Sequence, residues 1–140
     1  MAARTIRIFL AYAEEDYKFK DILVNQAKAA KLPVEFADMP AKQPWVPRWK
    51  AACRSRAFEC DAAIVLVSRK TKQGVGVMWE VECICDTQMP VLVVFMEKCD
   101  KGAVPDELRD FPAIDYNWPE VGSFIQSGGG GKARKDSVAR

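Results

Sequence analysis

Two short runs carry no polar residue at all: Ala62-Ala-Ile-Val-Leu-Val67 and Val91-Leu-Val-Val-Phe95. A half-exposed strand alternates apolar and polar residues, because its side chains point to opposite faces in turn. A strand that is apolar at every position must be covered on both faces, which is the condition of a central parallel strand between helical layers. Two such strands leave little room for an all-helical or all-antiparallel chain.

The surrounding sequence fits that demand. Thr5-Ile-Arg-Ile-Phe-Leu-Ala-Tyr12 is rich in β-branched and aromatic residues and reads as a first strand. Tyr17, Phe19, Ile22, Leu23 and Ala27 then recur at near-helical spacing, and the helix stops before Pro33. Val34 to Ala37 is a short second strand. Asp38 to Pro47 contains three prolines and cannot be regular structure. Pro47 suits the first turn of a helix running to about Phe58, with Trp49, Ala52, Cys53 and Ala57 inward. A further helix is expected from about Val77 to Asp86. A turn at Asp106 to Arg109, an edge strand at Ala113 to Tyr116 and a helix at Trp118 to Gln126 follow.

Strand and helix in alternation give an α/β fold. Right-handed crossovers arrange it as an open, flavodoxin-like parallel sheet of about five strands with helices on both faces. Residues 1–126 form the domain, and residues 127–140 are expected to be a flexible glycine-rich and basic tail. Ligands of such sheets sit at the carboxyl ends of the strands, where the segments after Tyr12, Ala37 and Val67 emerge.

Composition removes several chemistries. Histidine is absent from the 140 residues, so Ser-His-Asp and Cys-His catalysis and His-bearing metal sites are excluded. The five cysteines, Cys53, Cys60, Cys83, Cys85 and Cys99, match no zinc spacing and are expected to be free thiols of a cytoplasmic protein. The net charge is +2, but the final nine residues hold four basic groups and one acid, so the body is near −1. That argues against a nucleic-acid surface, and no apolar run reaches the roughly 20 residues that span a bilayer. Gly74 and Gly76 form neither a phosphate loop nor a dinucleotide fingerprint. A phospho-receiver needs an acceptor Asp after the third strand, where Ser68 stands.

What remains is carboxylate chemistry. Glu80 is expected in the first turn of the helix beginning near Val77, facing the strand-end cleft and kept ionised by the helix dipole. Glu82, two residues on, projects to another face. Taken alone, Glu80 is better described as a helix-start acid, and Trp79 as a core residue.

Four segments in order resemble a family: Ile8-Phe-Leu-Ala-Tyr-Ala-Glu-Glu-Asp16, Trp49-Lys-Ala-Ala-Cys-Arg-Ser-Arg56, Cys60 to Ser68, and Gly76-Val-Met-Trp-Glu-Val-Glu82. Together they resemble the TIR-like domains of the bacterial and archaeal group that includes the Thoeris anti-phage sensors, over residues from about 4 to 126. The resemblance implies that Glu80 cleaves the nicotinamide–ribose bond of NAD+, taken as substrate with no cofactor and no metal. It implies a nucleotide signal for a downstream effector, and self-association through TIR-like surfaces. The other reading is a TIR-like interaction module without chemistry. Ala11, Tyr12, Asp38, Trp45, Ser68 and Trp79 are the accompanying candidates for the substrate site. Tyr12 is placed either to stack on a ring or to pack at the strand end. Trp45 is placed to cover substrate or to touch a neighbouring subunit. Two positions depart from the family: Ala11 stands where Ser is usual, and Gly76 where many TIR enzymes carry an aromatic.

Overall fold

The structure, a computed structural model, describes residues 5–39 and 41–129. Five strands, β1 (Ile6–Ala11), β2 (Val34–Ala37), β3 (Ala62–Val67), β4 (Val91–Phe95) and β5 (Ala113–Asp115), form one sheet. Four helices, α1 (Tyr17–Ala29), α2 (Pro47–Phe58), α3 (Val75–Cys85) and α4 (Trp118–Gln126), cover it. The strand order is β2-β1-β3-β4-β5, and every pairing is parallel.

The all-apolar runs occupy the centre. β3 lies between β1 and β4, and all six of its residues are buried. Phe9, Ala11, Ala63, Val65, Val67 and Val93 turn to one face and pack with residues of α2 and α3, among them Cys53, Ala57, Val77 and Val81. Ile8, Leu10, Ile64, Leu66 and Val94 turn to the other and pack with Leu23 of α1 and Val121, Phe124 and Ile125 of α4. The period-two alternation of strand side chains thus splits the core into two layers, one on each side of the sheet.

Helical details differ from the sequence expectations where spacing was ambiguous. In α2 the inward row is Trp49, Cys53 and Ala57, four residues apart, and Ala52 is exposed. In α1 only Leu23 and Ala27 are buried, while Tyr17 and Ile22 are exposed. α1 ends with Lys31 in the left-handed region (φ 55°) and the Leu32 N–H donating to Ala27 O, a turn that caps carbonyls of the last turn. α4 begins on Asn117, whose Oδ1 accepts from the Glu120 N–H at 2.9 Å and whose side-chain amide reaches Glu120 Oε1.

Ser127 to Gly129, counted with the tail from sequence, belong to the helix end. Gly128 and Gly129 have positive φ and donate to Ile125 O and Phe124 O. A Cβ on Gly129 would stand 2.8 Å from Pro90, so only glycine fits against that side chain. Residues 130–140 of the expected tail lie outside the described residues.

Candidate functional site

The carboxyl edge of β1 and the segments after β1, β2 and β3 enclose a cleft of about 490 Å³. Glu14 and Glu15 form one wall, Gly74 to Val77 another, and Lys42, Pro44 and Trp45 the third. The segment between β2 and α2 brings Lys42 and Trp45 there. Trp45 is 75% exposed and Val75 71%, an apolar rim on the mouth. α3 opens on Gly74 with no side-chain cap on its first amides, so the wall it forms favours negative charge.

Glu80 lies beneath this cleft and does not line it. α3 begins at Val75, two residues earlier than expected, so Glu80 is its sixth residue and sits in the second turn. One turn in from the helix start, the residue faces the sheet, and its side chain is fully buried. The carboxylate is covered by Lys42, also buried, whose Nζ donates to Glu80 Oε2 at 2.7 Å and to Met39 O at 2.9 Å. Lys42 Nζ also stands 4.3 Å from the centroid of the Tyr12 ring. The other carboxyl oxygen, Glu80 Oε1, is buried without a hydrogen-bond partner among the described residues.

The electrostatics are set by burial. Withdrawal from water pushes Glu80 up to about 8, against the opposing pull of the Lys42 charge and hydrogen bond. The expected cause of an ionised Glu80, a first-turn helix dipole, therefore does not operate at this depth, and desolvation dominates. The Tyr12 phenol donates to Asp38 Oδ2 at 2.7 Å, and burial and that hydrogen bond push its pKa up, keeping it protonated. Asp38 is held in turn by Lys20 at 4.0 Å, while Arg56 donates to its backbone carbonyl at 2.6 Å.

Of the sequence candidates, Glu80, Tyr12 and Asp38 come together, linked through Lys42. Trp45 joins at the cleft mouth. Ala11 is fully buried against the α2–α3 layer and offers no polar side chain. Ser68 is part of a strand-end network: its Oγ donates to Asp16 Oδ2 at 2.5 Å and accepts from the Lys70 N–H. Trp79 points away from the cleft, because it precedes Glu80 by one residue on the helix. Its Nε1 donates to Lys50 O, and Lys50 and Arg54 lie over its ring at 4.4 and 5.1 Å. Glu82 is exposed, on another face from Glu80.

Lys42 is the site residue that sequence reasoning missed. A lysine in a proline-rich connection ordinarily points to water. The signal lay at Gly76, one helical turn before Glu80, where a missing side chain leaves a slot above the carboxylate. The Lys42 stem fills it: a Cβ on Gly76 would stand 2.9 Å from Lys42 Cβ and 3.0 Å from Cδ. Among the described residues no group of three or more Cys, Asp or Glu could hold a metal ion. The five cysteines are free thiols in the structure, and Cys53 and Cys83 are buried in the core layer formed with α2 and α3.

No protein-family model and no curated protein matches the chain. Among solved structures it is similar to the TIR domain of the Toll-related receptor TRR-2 of Hydra magnipapillata, with a TM-score of 0.57 at 16% identity over 84% of this chain and 90% of that one. It is also similar to the TIR domains of the activated Roq1 resistosome, which directly recognizes the pathogen effector XopQ, with a TM-score of 0.52 at 19% identity. That match covers 67% of this chain and 59% of the Roq1 chain. The fold is therefore that of TIR domains, an all-parallel five-stranded α/β sheet. Among the described residues no helix is long and apolar enough to cross a membrane.

Proposed function

We propose that the protein is a TIR-fold enzyme that cleaves the nicotinamide–ribose bond of NAD+, with Glu80 as the catalytic carboxylate. The observation that carries this reading is a single carboxylate buried at the carboxyl edge of the sheet, under a cleft of about 490 Å³. Nicotinamide is bound in NAD+ as a cation and leaves neutral, so its departure needs no general acid. Positive charge develops on the ribosyl carbon and ring oxygen as the bond breaks, as in glycoside cleavage. A fixed carboxylate in a dry site stabilises that charge strongly, since no solvent has to reorganise. The uncapped amides at the start of α3 offer N–H groups to a pyrophosphate. Neither histidine nor metal is called on.

The product on this reading is an ADP-ribose-type nucleotide, linear or cyclic, that signals to a downstream effector. Thoeris-type anti-phage defence in the cytoplasm is the setting that the sequence resemblance supports, and self-association through TIR surfaces is the mode of activation it supports. A second reading has its own observation: Glu80 is wholly covered by Lys42, as a structural ion pair of a non-catalytic interaction module would be. Chromatography of NAD+ incubated with concentrated, self-associated protein separates the two. Glu80-dependent release of nicotinamide supports the enzyme. Its absence from parent protein and from Lys42→Met alike supports the module.

A further inference from the structure

We propose that a second cavity, set between the ends of β4 and β5 and the turns that follow β3 and β4, binds a small organic anion with a flat aromatic body. It shares no lining residue with the cleft above Glu80, and its ligand is independent of what that carboxylate does.

The cavity follows from how the chain makes its last crossover. The crossovers into β3 and β4 lie on one face of the sheet and are filled by α2 and α3. The crossover from β4 to β5 lies on the same face, since Leu108 and Phe111 pack in that core layer. It carries no helix of that kind, only two three-residue 3₁₀ turns, Lys101–Ala103 and Asp106–Leu108. Short turns cover less of the sheet than a helix does. They leave a space of about 410 Å³, within the size range of small-molecule sites. Its inner wall is the core itself: Leu108 and Phe111 are buried, and Phe95 and Val104 pack against the same layer. The segment is held without a ligand. Leu108 N–H donates to Pro105 O, Phe111 N–H to Leu108 O, and Val93 N–H of β4 to Pro112 O.

The mouth of this apolar space is cationic. Lys72 comes from the turn after β3, and Lys101 and Arg109 from the segment after β4; all three are exposed. Asp106 is the one acid lining the cavity, and it is taken by Arg109 at 2.8 Å. Among the described residues Lys72 and Lys101 have no ion-pair partner. Three cations against one acid leave a local excess of positive charge on a body whose net charge is near −1. Cations gathered round one opening attract an anion into it. Two aromatic side chains in the wall, Phe95 and Phe111, suit a flat ring below that anionic group. Because the excess is confined to this mouth, it fits one small anion and not a polyanion such as a nucleic acid.

The test is calorimetric titration of the full chain with 2-naphthoate, a flat aromatic carboxylate, and with 2-naphthalenemethanol as its uncharged match. Amide shifts of isotope-labelled protein locate the bound ring. The parent is expected to bind the carboxylate at least about tenfold more tightly than the alcohol, with shifts centred on Gly102, Val104 and Ala113. Lys101→Met/Arg109→Met should weaken carboxylate binding about tenfold or more and leave alcohol binding unchanged. Lys18→Met/Lys28→Met removes the same charge from exposed positions of α1, on the other face of the sheet, and should change neither. Ala113→Glu keeps all three cations but puts a carboxylate at an exposed position of the cavity wall, and should abolish binding of the anion. If a variant does not fold by circular dichroism, the parent's charge preference and shift map decide. No carboxylate binding by the parent, equal binding of the alcohol, or shifts centred elsewhere overturns the proposal. So does an equal loss in Lys18→Met/Lys28→Met, or a folded Ala113→Glu that binds as the parent does.

Discussion

Glu80 and Lys42 are each other's main polar partner in a buried site, and this changes what a substitution there means. From sequence, Glu80→Gln is an isosteric change at a helix start, worth about 0.3–1 kcal/mol. In the structure it leaves the Lys42 ammonium buried beside an amide. Breaking a buried pair on one side costs roughly 3–5 kcal/mol, whereas replacing both partners by neutral groups of similar volume is often close to neutral. Urea unfolding above about pH 8, where the Glu80 carboxyl is ionised and the pair is charged, should therefore show Glu80→Gln strongly destabilised and Glu80→Gln/Lys42→Met restored to within about 1–2 kcal/mol of the parent. A double variant as unstable as the single one would contradict the pairing. The pH dependence follows from the raised Glu80 value. Because the folded carboxyl holds its proton up to about 8 while an unfolded one releases it near 4.5, the folded state binds more protons between those values. Stability contributed by this group is complete below about 4.5 and declines as pH rises toward 8. The decline should be shallower in Glu80→Gln/Lys42→Met, measured by denaturant midpoints across that range.

At the scale of elements, α3 and α4 show how local chemistry places the site and closes the fold. Gly76→Ala adds a Cβ 2.9 Å from the Lys42 stem. Alanine favours a helix by about 1 kcal/mol over glycine, but overpacking a filled site costs about 1–3 kcal/mol. The expected net effect in the parent is destabilisation of about 1 kcal/mol. Lys42→Gly removes the obstructing Cβ together with the stem, so in that background the same change should stabilise, and thermal or urea unfolding of the four variants reads the reversal of sign. Asn117→Ala should cost about 1 kcal/mol in the same measurement, since it removes the only side-chain cap on α4 among the described residues. Element type was legible because composition forced it. The apolar runs at Ala62 and Val91 could only be central strands, and Pro47 and Pro119 marked helix starts. The start of α3 was not legible, because Gly74-Val-Gly76 carries no capping side chain. That two-residue difference moved Glu80 from an exposed first turn into the buried second. Tyr12, Asp38 and Glu80 were placed together by the rule that strand ends converge at one edge. Trp79 and Ser68 were misplaced by the same rule, since nearness in sequence says nothing of which helix face or which turn network takes a side chain.

At the scale of the whole molecule, the sheet gathers an acidic wall, a helix start and a buried carboxylate at one edge, and the connection after β2 closes them with one lysine. The fold is shared with TIR domains of 16–19% identity, while the contact between Lys42 and Glu80 is made by this chain's own residues. Action of the Glu80 carboxylate on NAD+ is the proposal on which the chemistry of this edge rests. It is tested most directly by comparing nicotinamide release from NAD+ by Lys42→Met and by Lys42→Met/Glu80→Gln, a pair in which neither protein holds a buried unpaired lysine. Lys42→Met is expected to release nicotinamide, and adding Glu80→Gln to lower the rate by about 100-fold or more, as loss of one preorganised stabilising group does. Equal rates from the two folded proteins, or no release from Lys42→Met at all, would contradict it.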